Sequence, residues 1–466
     1  MIIRKLADIA AMCGGQVREA ADSGITVHGA VTDSRQIVKD CLFIPLSGER
    51  FDGHDFAAGC LGAGAAATLW ERSKGTPPGP AVLVDDCLEA LQTLAKSYLA
   101  QTGAKVVGIT GSNGKTTTKD LVYALLSTTY KVHKTKGNFN NHIGLPLTIL
   151  AMPEDAEIAV LEMGMSGRRE IELLSKLAEP ETAVITNIGE AHLLQLGSRE
   201  EIARAKLEIL AGMKPGGLLV YNGDEPLIPQ VLAEADMPKP DRLQTATFGL
   251  GQGNDEYPTG MMFMEDRTLF TSHANGGGPL ELPLLGEHNV VNALAALAVA
   301  RRYGVSEAAI RDGLSHAELT GMRIERIIGA SGVTILNDAY NASPTAMKAA
   351  IGVLEKMKGF RQKIAVLGDM LELGATEEEY HRELGAALTP GQVDRLFTYG
   401  TLGLKIAEGA SEHLEPARIH AYTDKTELIR ELISLLHPKD VVLVKASRGM
   451  KLEEVVDAVR HSNLKH

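Results

Sequence analysis

The chain has 466 residues, 44% of them hydrophobic and 23% charged, with a formal net charge of −12. Its length exceeds that of one ordinary domain and predicts about three, each able to bury a core. The acidic balance excludes a dedicated surface for nucleic acid or anionic membrane, although local basic groups and backbone amides can still hold small anions.

From the start, MIIRKLADIAAMCGG reads as the opening of an amphipathic helix and lacks the apolar core of a signal peptide. No later apolar run approaches the ~18 residues of a membrane span, so a cytoplasmic protein without membrane insertion is expected. Cys13, Cys41, Cys60 and Cys87 lack C-x-x-C spacing and read as reduced thiols, not as a disulfide framework or zinc site. Short strands are predicted at Ile25 to Val31, Cys41 to Leu46, Ala65 to Trp70 and Ala81 to Val84. The polar stretch SGERFDGHDF and the turn-rich KGTPPGP lie between them. These make a first α/β segment, residues 1–85.

A second segment, 86–315, opens with a helical pattern from Cys87 to Leu99 and the strand KVVGIT (Lys105 to Thr110). Further strands are predicted at Ile158–Leu161, Ala183–Ile188 and Leu218–Tyr221, separated by helix-length patterns, which is the signature of a helix-covered parallel sheet. The helix HNVVNALAALAVARRYG runs from His288 to a C-capping Gly304. The third segment, 316–466, offers five strands (VTILND, KIAVLGD, RLFTYG, IHAYTD and DVVLVKAS) alternating with helices. It is Rossmann-like but has no G-x-G-x-x-G to hold a dinucleotide.

The sharpest motif is GITGSNGKTT, Gly108 to Thr117, at a strand-to-helix junction. Gly111 and Gly114 let the backbone around Ser112 and Asn113 curl so that N–H groups point at phosphate oxygens. Lys115 is placed to neutralise β- and γ-phosphates, and Thr116, beside Thr117, to complete a Mg²⁺ shell. Five residues separate Gly108 from Gly114, one more than a strict Walker A spacing allows. Strand ends should deliver Glu162, Asn187 and His192 near this loop, a hard oxygen and an imidazole suited to a divalent cation. Taken singly, each is as readily a solvated or structural residue. Lys206 has only Ile202, Ala203, Ile209 and Leu210 at helical spacing around it. Its face is apolar, and snorkelling of the charge to solvent is the simplest expectation.

The form TGSNGKTT resembles the loop of Mur ligases and folylpolyglutamate synthetases, and similarity to the Mur ligase family extends across nearly the whole chain. The resemblance implies a uridine-nucleotide-binding first domain, a central ATP-binding domain and a C-terminal domain that closes on ATP. It implies ATP-dependent amide ligation through an acyl phosphate, two Mg²⁺ ions held by Thr116, Glu162, His192 and a carbamylated Lys206, and base contacts from Asn289 and Asn292. Arg323 would reach the γ-phosphate and Asp338 the ribose. TDSR, with Ser34 and Arg35, resembles the uridine-nucleotide site, and KGNFNNHIGLPLTIL, with Asn138, Asn140 and Asn141, the loop that meets the muramoyl-peptide substrate. NDAYNASP supplies Tyr340 and Asn341. VLGDMLELG, with Asp369, Met370 and Glu372, resembles the hallmark of members that add D-alanyl-D-alanine to UDP-MurNAc-tripeptide, and no D-N-P-R stretch is present. The alternatives are a family member adding the third stem residue, a folate-glutamating ligase, or an ATPase using ATP as a switch. A monomer is expected.

Overall fold

The computed structural model describes residues 1–48, 51–274 and 278–462. Glu49 and Arg50 of the SGERFDGHDF stretch lie outside the described residues. The chain does not begin with a helix: Ile3–Lys5 forms a strand paired antiparallel with Thr26–His28, and the helix starts only at Leu6. The apolar Ile2, Leu6 and Ile9 do face the core, but the first of them belongs to an extended segment.

The N-terminal sheet has five strands in the order Gln16–Val17, Ala81–Val84, Ala67–Glu71, Leu42–Phe43, Ala30–Val31, parallel except at the first pair. The strand expected from Ile25 to Val31 is broken in two by Gly29, whose φ of +77° lies in the left-handed region that favours glycine. All four cysteines are free and buried. Cys87 Sγ lies 3.9 Å from His54 Nε2, and Asp52 holds the other ring nitrogen at 2.7 Å.

The helix Cys87–Thr102 begins at the cap Asp86, which accepts from Glu89 N–H, and ends at Gly103 in the left-handed region. Its apolar face shares one core with the N-terminal sheet and one side of the central sheet. That central sheet is fully parallel, ordered Gln244–Phe248, Leu218–Asn222, Thr182–Ile185, Lys105–Thr110, Ile158–Glu162, Val132–Lys134. Lys105–Thr110 sits where the winding reverses, between two strands that come later in the chain, and such a point opens a crevice at the carboxyl ends of the strands. On the sheet's other side the helix Glu287–Arg302 packs, with Gly304 (φ +73°) just beyond it. An antiparallel three-stranded sheet, Pro258–Phe263, Thr268–Ser272 and Leu280–Leu282, adds Phe270, Leu280 and Leu282 to this core. It is absent from the sequence reading.

All five strands expected in the last segment form, joined by a sixth. The order is Glu325–Ile328, Thr334–Asp338, Val441–Lys445, Lys363–Gly368, Arg395–Tyr399, Ile419–Tyr422, with only the first running antiparallel. Helices cover both faces, giving two separate cores. No helix among the described residues is long and apolar enough to cross a membrane.

Candidate active site

Gly108 belongs to the strand, where an added Cβ would meet Met163 Cε at 3.1 Å, so the working loop is Gly111 to Thr116. This resolves the irregular spacing, because the first glycine packs the sheet and does not shape the loop. At Gly111 (φ +149°) a Cβ would lie 1.8 Å from Thr186 Oγ1. At Gly114 (φ +79°) it would lie 2.4 Å from Asn292 Oδ1. Asn187 clamps the loop: its carbonyl oxygen accepts from Ser112 N–H (3.0 Å), its Oδ1 from Asn113 N–H (3.0 Å), and its Nδ2 donates to Asn113 O (3.1 Å). Asn187 is therefore a scaffold for the loop.

Gly114 starts the helix Lys115–Ser127, whose first-turn N–H groups and dipole favour an anion. Lys115 Nζ curls back to Gly111 O at 2.7 Å. Burial pushes its pKa down, against the pull of Glu162, and Arg323 pushes it further. Thr116 Oγ1 donates to Glu162 Oε2 (2.9 Å), and Asn140 Nδ2 donates to Glu162 Oε1 (2.8 Å). Glu162 itself is 3% exposed, with Lys119 Nζ 4.0 Å from its carboxylate. A hydroxyl and a carboxylate side by side at a phosphate loop are hard oxygen donors suited to Mg²⁺.

His192 stands at φ +65°, capping the short helix Leu193–Leu196, with Nδ1 2.8 Å from Glu372 Oε2. Burial lowers its pKa, Glu372 raises it, and Lys115 and Lys206 lower it further. Lys206 departs from the snorkelling expectation. It lies on the helix Arg199–Leu207 and is 2% exposed, and burial, with Lys115 nearby, drives its pKa well below the ordinary range. Burial of this kind favours the unprotonated, nucleophilic form of an amine.

The C-terminal sheet closes the other side. Arg323 lies 4.6 Å over the Tyr340 ring, its Nε buried and without a partner among the described residues. Its flanking residues Met322 (φ +61°) and Ile324 (φ +54°) are both left-handed, a strained arrangement that for a β-branched residue is a true outlier. Asp338 ends its strand beside Lys445 on the neighbouring strand, and Lys445 Nζ is 2.6 Å from Asp338 Oδ2 and 2.9 Å from Asn341 O.

One cleft of about 1100 Å³ is lined by Ser112 to Thr117, Asn138, Asn140, Asn141, Glu162, His192, Asn289, Asn292, Arg323, Asp338, Tyr340 and Asn341. Gly111 and Lys206 lie behind this lining. Asn141 also caps a helix, accepting from Gly144 N–H at 2.8 Å. Asn289 donates to Leu285 O, and Asn292 accepts from Thr118 Oγ1. Ser34 and Arg35 are not brought to the cleft: Arg35 is exposed and paired with Asp33 at 2.8 Å. Asp369 and Met370 are interior. Asp369 Oδ1 accepts from Gly403 N–H (2.7 Å), burial raises its pKa, and Met370 N–H donates to His381 Nε2. Of that loop, Glu372 alone reaches a site residue.

Among the lining residues that escaped the sequence reading are His288, Lys356 and Lys445. His288 has its pKa pushed down to about 4, by burial first and against Asp338, so it stands neutral in the cleft. Its position directly before Asn289 was the available signal. Lys445 and Lys356 also line the cleft, and nothing local distinguishes them from surface lysines.

Residues 26–99 match the family description "Mur ligase family, catalytic domain", 109–300 the "Mur ligase middle domain" and 322–448 the "Mur ligase, glutamate ligase domain". The chain is 51% identical over 466 residues, 100% of both chains, to the UDP-N-acetylmuramoyl-tripeptide–D-alanyl-D-alanine ligase of Bacillus subtilis. It is 35% identical to the Escherichia coli enzyme of the same description, over 99% of each. Among solved structures it is similar to MurF from Acinetobacter baumannii (TM-score 0.89, 30% identity, 99% of each chain). It is also similar to MurF ligase from Thermotoga maritima in complex with ADP (TM-score 0.80, 32% identity, 93% of this chain and 97% of that one).

Proposed function

The chain belongs to the Mur ligase family, and we propose that it makes the amide bond between UDP-N-acetylmuramoyl-tripeptide and D-alanyl-D-alanine. It is an ATP-dependent ligase acting on small molecules. The observation that carries this reading is the single cleft shared by Lys115, Thr116, Glu162 and His192 of the central sheet and Arg323 and Asp338 of the C-terminal sheet.

A carboxylate is a poor electrophile at neutral pH, so its oxygen first takes the γ-phosphoryl group of ATP, and the resulting acyl phosphate yields to the dipeptide amine. Lys115 and the loop amides hold the β- and γ-phosphates, and Arg323, whose Nε has no partner among the described residues, adds positive charge where charge builds up in the transfer. Asn289 and Asn292 lie at the base of ATP and Asp338 at its ribose. Thr116 and Glu162 would hold one Mg²⁺, and His192 with a carbamylated Lys206 a second. When bound, the ions supply charge neutralisation and orientation. Burial of Lys206, which drives its pKa down, supports the carbamate, because only an unprotonated lysine adds to CO₂.

In this reading residues 1–85 hold the uridine nucleotide through Ser34 and Arg35, residues 86–315 bind ATP, and residues 316–466 close on ATP and hold the dipeptide near Tyr340, Asn341 and the Asp369–Glu372 loop. The enzyme acts as a cytoplasmic monomer. Contacts across the cleft support closure as part of turnover: Asn113 Nδ2 donates to Ser343 Oγ (3.1 Å), and Thr345 Oγ1 donates to Glu190 (2.9 Å).

Phosphate release is measured with ATP, Mg²⁺, UDP-MurNAc-tripeptide and D-Ala-D-Ala, each omitted in turn. The expected result is release requiring all of them, with the pentapeptide identified by mass. Release with a single amino acid in place of the dipeptide would move the chain to the third-residue-adding members.

A further inference from the structure

D-Ala-D-Ala has two ends of opposite charge. Its amine must reach the acyl phosphate at the loop of Lys115, and its carboxylate then lies roughly 6–7 Å away, the span of two extended residues. A carboxylate leaving water needs a cation, preferably one with paired donors. Of the phosphate-side cations, Lys115 is engaged with the loop and Lys445 with Asp338, and Arg323 is assigned to the γ-phosphate.

The segment after the strand Val441–Lys445 offers another. Ser447 Oγ accepts from Leu371 N–H at 2.9 Å, and Ser447 N–H donates to Asp369 O at 3.1 Å, which joins this turn to the Asp369–Glu372 loop as one unit. The next residue is Arg448. Its guanidinium lies 5.6 Å from the centre of the Tyr340 ring, the ring that also carries Arg323 and lines the cleft. Its side chain is 54% exposed. Its partners are Glu453, at a loose 3.4 Å, and the Met322 sulfur. The two acids of the adjoining loop are occupied elsewhere, Glu372 by His192 and Asp369 by Gly403 N–H.

We propose that Arg448 binds the C-terminal carboxylate of the dipeptide, so that Arg323 serves the phosphate end of the cleft and Arg448 the carboxylate end, with Tyr340 between them. The assignment rests on the dipeptide reading above. It makes Arg448 a specificity-determining residue: it selects an acceptor with a free acid two residues from the amine.

The test crosses the enzyme with its substrate. Wild type and Arg448→Met are each assayed with D-Ala-D-Ala and with its carboxamide, D-alanyl-D-alaninamide, at saturating ATP and UDP-MurNAc-tripeptide. Wild type is expected to prefer the acid over the amide by roughly ten- to hundredfold in kcat/KM. In Arg448→Met that preference should collapse to within about threefold through loss of the acid alone, with KM for ATP unmoved. Arg448→Lys should restore part of it, since it keeps the charge but not the fork, and it serves as the folded variant if the methionine protein fails to fold. A variant that keeps the wild-type preference, or a wild type indifferent to the amide, overturns the assignment. If wild type does not turn over D-Ala-D-Ala at all, the substrate reading fails, whatever Arg448 does.

Discussion

His192 Nδ1 lies 2.8 Å from Glu372 Oε2, and Glu372 O accepts from Leu194 N–H at 3.1 Å, so the crevice of the central sheet is latched to a loop of the C-terminal sheet. Both His192 and Glu372 stand in the left-handed region, at φ +65° and +66°. Each chain bends sharply to present its side chain to the other.

Breaking this latch should slow turnover without unfolding either half. Glu372→Ala is expected to lower kcat about tenfold, a cost of about 1.4 kcal/mol, with little change in thermal midpoint. Steady-state kinetics beside calorimetry decides it, and an unchanged kcat would remove the latch from the catalytic cycle.

Lys206 yields a prediction with a sign. Burial depresses its folded-state pKa below the unfolded value. Between those two values the unfolded chain binds more protons, so the buried amine lowers stability there, and the penalty shrinks as pH rises. Without ligand and with CO₂ stripped, Lys206→Met should therefore melt a few degrees above wild type near pH 7, with the gap closing toward pH 10. The same variant should lose essentially all ligase activity. With ¹³CO₂ the wild type should show a carbamate resonance that the variant lacks.

At Gly114 a methyl group meets Asn292 Oδ1 at 2.4 Å, and the φ of +79° is itself costly for any L side chain. Gly114→Ala should weaken ADP binding by at least tenfold, read by titration calorimetry, and destabilise the fold by about 1 kcal/mol or more. Native-like affinity in this variant would mean that the loop is not the phosphate cradle.

The Asp338–Lys445 pair is almost wholly buried, at 13% and 4% side-chain exposure. Lys445→Met leaves a carboxylate uncompensated and should cost about 3 kcal/mol in denaturant unfolding. The double variant Asp338→Asn, Lys445→Met should recover most of that loss. An additive double variant would show that the two residues do not act as a pair.

Much of the fold was legible locally. Strand Lys105–Thr110 and helix Cys87–Thr102 announce themselves through apolar runs, an Asp cap and a terminal glycine. The antiparallel strands Pro258–Phe263 and Glu325–Ile328 did not, because their side chains are largely half-buried or exposed and carry no clean alternation. Of the candidate site, Gly111 to Thr117 could be read outright from spacing and context. Glu162 and His192 could be placed only at strand ends, and Lys206 was misjudged, since an apolar helix face permits either snorkelling or full burial.

Taken alone, the sequence determined what depends on near neighbours: the glycine loop, the caps, the periodicities that make an α/β chain, and the family resemblance they carry. Tertiary structure decided which distant residues meet. Lys445 reaches Asp338 across 107 positions and Asn113 reaches Ser343 across 230. The physical reason is that backbone sterics and side-chain period act over a few residues. Strand order and the closing of one sheet over another come from burying apolar faces that no local pattern pairs.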